Sequence, residues 1–101
     1  MAHTFEELVH RQRAADEAHT RVRELRDTYG SPTAAPWSET QTDTYETAWR
    51  AWRDLARDTQ SAVTEHARAE ERPRSEVEAE VKRTARERPG GQSSEEGEPA
   101  S

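Results

Sequence analysis

Between Tyr45 and His66 the chain reads YETAWRAWRDLARDTQSAVTEH, and Tyr45, Ala48, Trp49, Trp52, Leu55, Ala56, Thr59, Ala62, Val63 and His66 recur at three- and four-residue steps. That period places them on one broad stripe of a long helix. A stripe holding two tryptophans and a tyrosine needs a cover, and the rest of the chain offers little bulk to supply one. Leu, Val and Phe make up nine of the 101 residues, isoleucine is absent, and half of the 30% hydrophobic content is alanine. That is well below the level at which composition alone suggests a chain too polar to repay the entropy of ordering. The sequence therefore predicts that burial is completed by a second polypeptide surface.

Thr4-Phe5-Glu6-Glu7 has the pattern of a capping box, which starts a helix at Phe5. Leu8, Ala15, Val22 and Tyr29 then repeat every seven residues, with Ala18 and Leu25 filling intervening positions. Tyr29-Gly30-Ser31-Pro32 ends this helix, because Gly30 suits a left-handed cap and Pro32 cannot continue. Ser38 with Gln41 is a second capping box, and Trp37 stands where a staple residue would pack. Two helices joined by a short loop fold back on each other. The predicted class is all-α: an antiparallel two-helix hairpin over residues 1–72, with a helix at about 5–28, a loop at 29–38 and a helix at about 39–72. At 1.5 Å per residue the helices would be roughly 36 and 50 Å long, so the second, from about His66 on, either frays or meets something else. Pro73 interrupts the pattern. Val77, Val81 and Ala85 form a narrow stripe for a marginal third helix over 73–88, and PGGQSSEEGEPAS, residues 89–101, reads as a disordered acidic tail.

Several chemistries are disfavoured. A net charge of -6 argues against a nucleic-acid partner, since phosphate neutralisation supplies most of that affinity. Arg50, Arg53 and Arg57 run beside the tryptophans, but Glu46, Asp54 and Asp58 interrupt them, which reads as ion pairing along the helix. The absence of cysteine removes disulfides and thiolate ligands. Glu7-Leu8-Val9-His10 and Asp16-Glu17-Ala18-His19 have the spacing of metal ligands on a helix, yet both lie on the first helix, whereas a di-iron bundle draws such pairs from two. The histidines are expected to be solvated, with no metal and no cofactor. With neither a nucleophile elbow nor a glycine-rich phosphate loop, the chain is predicted not to be an enzyme. No apolar run approaches the ~18 residues of a membrane span, and MAHTFEELVH lacks the features of a signal peptide. The expected compartment is cytoplasmic.

Fourteen arginines against one lysine reflect the codon bias of a GC-rich genome. With this bias and the hairpin pattern, the chain resembles short helical-hairpin proteins of high-GC bacteria and their mobile elements, a likeness that implies no site. Its hairpin shape and the tryptophan in its turn are also similar to the WXG family of small secreted proteins, which form four-helix dimers. Here the turn reads Trp37-Ser38-Glu39, with glutamate where that motif has glycine, and no Tyr-x-x-x-Asp/Glu signal follows the second helix. The expected function is protein–protein interaction or a structural role, through a homodimer interface formed by Tyr45, Trp49, Trp52 and Leu55 with Leu8, Val22 and Leu25. The alternatives are an accessory or adaptor factor that folds on a larger protein partner, or a small secreted WXG-like hairpin.

Overall fold

Both capping boxes form. In the computed structural model, which describes residues 3–87, Thr4 N–H donates to Glu7 Oε1 at 2.8 Å and Glu7 N–H donates to Thr4 Oγ1 at 3.1 Å, opening α1, Phe5–Tyr29. The Thr4 backbone donor holds the Glu7 carboxyl below its usual range. Ser38 and Gln41 make the equivalent exchange at 2.9 and 3.0 Å and open α2, Glu39–Glu70. A third helix, α3, spans Arg74–Glu87. Every regular element among the described residues is helical, so the protein is all-α. The tail expected at 89–101 lies outside the described residues.

Gly30 ends α1 at φ 78°, ψ -173°, a conformation that a Cβ makes costly, and its N–H donates to the Arg26 carbonyl at 2.9 Å. The Trp37 indole N–H then donates across the loop to the Gly30 carbonyl at 2.9 Å. Trp37 also stands edge-on to Tyr29 and to Tyr45, at 5.5 and 5.0 Å between ring centroids. The staple residue thus packs on Tyr45, two helical turns into α2, and ties both helices to the turn. Farther along, the Thr59 hydroxyl reaches the Arg11 carbonyl at 3.3 Å, and His66 Nδ1–H donates to the His3 carbonyl at 2.6 Å. Pairing 19 with 52, through the stacked His19 and Trp52 rings, 11 with 59 and 3 with 66 makes α1 and α2 antiparallel.

The end of α2 that overhangs a simple hairpin does not fray. His66 and Ala67 are buried, and Ala62, Val63 and Ala67 join Leu8, Val77 and Val81 in one cluster, with Phe5 packed against it. Val77 and Val81 are fully covered and Ala85 nearly so, a stripe at i, i+4 and i+8 that seats α3 on both other helices. On α1, Val9 lies about 100° around from Leu8, yet it too is buried, which two faces packed against one helix explain better than one. The helix expected to be marginal therefore completes a three-helix core.

The turn into α3 uses a left-handed residue at Glu71, φ 54° and ψ 46°, with the Arg72 N–H returning to the Ala67 carbonyl at 2.9 Å. Pro73 follows, and its carbonyl accepts from the Glu76 and Val77 N–H groups to begin α3. A polar clasp surrounds the junction. Arg72 donates two bonds to Glu80, at 3.2 and 2.9 Å, while Arg74 donates to Thr64 Oγ1 at 2.8 Å, to Glu78 at 2.9 Å and to Gln60. Lys82 completes the set, 3.0 Å from Glu78.

Hydrogen bonds from Arg72 hold the Glu80 carboxyl below its usual value, and the bond from Lys82 does the same for Glu78. Each carboxyl is thus more acidic in the fold than in the unfolded chain, so its contribution is complete above the ordinary value of 4.5 and is lost as pH falls through the folded value. Urea midpoints measured at about pH 6 and about pH 3 are expected to drop on acidification, with a smaller drop in Glu80→Gln. Because glycine enters the left-handed region without the Cβ penalty, Glu71→Gly is expected to stabilise the fold by about 0.5–1 kcal/mol, read by the same denaturation.

Candidate functional site

The broad stripe of α2 divides into two seams. Tyr45, Ala48, Trp52, Leu55, Thr59, Ala62 and His66 follow each other at alternating three- and four-residue steps, and the contacts of Tyr45, Trp52, Thr59 and His66 are with α1 and the turn. Thr42, Glu46, Trp49, Arg53, Ala56, Gln60, Val63 and Ala67 form the second seam at the same alternation, rotated around the helix. Its C-terminal part faces α3: Gln60 bonds Arg74 and Glu78, and Val63 and Ala67 sit in the cluster with Val77 and Val81. Its N-terminal part has no helix over it.

Trp49 and Ala67 are eighteen residues apart, about five turns, and so point in the same direction from the helix axis. Ala67 is 3% exposed and Trp49 is 38% exposed. The same face is thus core where α3 covers it and surface where α3 does not. Among the described residues Trp49 is the large hydrophobic side chain left exposed. One edge of it meets Trp52, with ring centroids 6.4 Å apart at 72°, and the Arg53 guanidinium lies over its ring at 4.9 Å. Tyr45, Glu46, Trp49, Arg50 and Arg53 line a shallow depression there. A cation above an indole that is open to water adds attraction without hiding the ring.

The other predicted interface residues lie elsewhere. Leu8, Val22 and Leu25 are buried inside the chain, and Leu8 is at the centre of the three-helix core. Tyr45 is half-buried against Trp37, and Trp52 is half-buried under the His19 ring, stacked at 4.6 Å and 23°. Leu55 borders a separate depression with Glu6, Glu7, His10, Arg11 and Ala14 on the flank away from Trp49. The predicted set is therefore divided between the intrachain core, the α1 seam and one exposed indole.

One histidine departs from the solvated state expected of it: His66 is 8% exposed with its Nδ1–H spent on a carbonyl, whereas His19 stays exposed while its ring stacks on Trp52. His66 already fell on the stripe of α2, so its burial was legible; His19 carries no periodic signal that marks it as a ring-stacking partner. Among the described residues no group of three or more His, Asp or Glu is arranged to hold a metal ion, and no helix is long and apolar enough to cross a membrane. No protein-family model, curated protein or solved structure matches the chain.

In a chain held monomeric by dilution, Trp52→Ala is expected to lower folding stability by about 2–3 kcal/mol, since the ring is shared between α1 and α2, and Trp49→Ala by less than about 1 kcal/mol. Urea denaturation at low protein concentration checks the difference.

Proposed function

We propose that the protein is a non-enzymatic helical interaction module that self-associates through the aromatic face of α2. The observation that carries this reading is the contrast between Trp49 and Ala67, equivalent positions of one seam, of which only the second is covered. The open seam runs from Thr42 to Ala56, about 21 Å of helix, a length comparable with that of α3 itself. A helix from another chain laid there would continue the packing that α3 begins, so that α2 is flanked along its whole length. Indole rings with few rotatable bonds are favoured anchors for such contacts.

The fit of a second copy follows from charge. Acidic Glu46 and basic Arg53 flank Trp49 on the open seam, so the surface can complement itself, whereas a uniformly acidic or basic patch would call for a partner of opposite sign. Binding to other proteins is the second outcome of the same test.

Sedimentation equilibrium from micromolar to millimolar concentration is expected to show the monomer passing into a dimer. Trp49→Ala is expected to weaken that dimer by tenfold or more, on the scale of a central tryptophan anchor, while circular dichroism keeps its helical signal. A wild-type chain that remains monomeric with full helicity overturns self-association.

A further inference from the structure

Glu46 lies three positions before Trp49 and Arg53 four after it, so the two charges stand about 4.5 and about 6 Å along the axis on opposite sides of the indole. Both side chains are exposed. Glu46 is held only loosely in its own chain: its nearest arginine oxygen-to-nitrogen approach is 3.7 Å, to Arg50, in a pair with both side chains more than half open to solvent. Arg53 is poised over the Trp49 ring, with its guanidinium at the edge of the depression that Glu46 also borders.

From this placement we infer the register of the self-association: two copies of α2 cross antiparallel about a two-fold axis beside Trp49, so that Glu46 of each copy meets Arg53 of the other. The inference rests on the self-association reading above and deepens it by fixing direction and pairing. A parallel crossing centred on Trp49 sets Glu46 against Glu46 and Arg53 against Arg53, which costs affinity through like charge. The antiparallel crossing makes both contacts attractive with a single operator, as an isologous interface requires. It also places the two exposed indoles at the axis, where each removes the other from water and each keeps an arginine over its ring. The α3 helices stay clear, because they occupy the seam only from Gln60 onward.

Charge reversal tests the pairing in the full chain. Glu46→Arg alone and Arg53→Glu alone each make both contacts repulsive, and each is expected to dissociate at least tenfold more readily than the wild type in sedimentation equilibrium. An equimolar mixture of the two variants restores both attractions and is expected to associate as a heterodimer about as tightly as the wild type. The doubly reversed chain, Glu46→Arg with Arg53→Glu, is expected to homodimerise again, which also shows that neither change harms the fold. Dimers unaffected by either single reversal, or single variants that stay monomeric when mixed, overturn the register while leaving self-association in place. A monomeric wild type overturns both.

Discussion

The fold depends on three helices sharing a core that any two of them would leave open. Leu8 on α1, Ala62, Val63 and Ala67 on α2, and Val77 and Val81 on α3 close on each other at one end of the hairpin. None of these side chains is larger than leucine, so the burial each supplies is modest, on the order of 1–2 kcal/mol, and the cluster needs contributions from every helix. Small residues also let the helices approach closely, which partly offsets the shortage of bulk. Seating α3 is left to paired valines one turn apart and to the arginine clasp around its first turns.

That constraint distributes the aromatic residues. The far end of the hairpin lies beyond the three-helix cluster and is held together by rings: Trp37 wedged between Tyr29 and Tyr45, and His19 laid on Trp52. Each ring there touches α1 or the turn, where it stitches the two helices together. Trp49 falls on the other seam, edge-on to Trp52 and under Arg53. One helix thus carries a seam that is half-buried against α1 and the turn from Tyr45 to Leu55 and buried from Thr59 on, and a second seam that is buried only at Val63 and Ala67.

Much of the local structure was readable from residue order, because caps and breakers act through neighbouring atoms. The Thr4 and Ser38 boxes, the glycine stop at Gly30 and the break at Pro73 all sit where their chemistry places them. The weight of α3 was not readable: two valines and an alanine in a charged segment look marginal until the surface that receives them is known. Nor was the division of the α2 stripe. Tyr45 and Trp49 fall within one broad apolar arc on a helical wheel, and only the direction from which α3 arrives separates the seam facing α1 from the seam left partly bare. Assigning Leu8, Val22 and Leu25 to an intermolecular surface followed from treating the hairpin as complete with two helices. Once a third helix packs on it, Leu8 lies at the centre of the intrachain core, and Val22 and Leu25 are buried within the chain as well.

The proposed self-association requires that another copy of the chain hide the uncovered part of the second seam. Fluorine NMR of protein carrying 5-fluorotryptophan, followed from micromolar to millimolar concentration, tests this at each indole separately. The Trp49 resonance is predicted to shift with concentration and to lose its sensitivity to solvent deuterium as the dimer forms, while Trp37 in the turn stays fixed. Three resonances that are all independent of concentration, with Trp49 keeping its full solvent isotope shift, would contradict it.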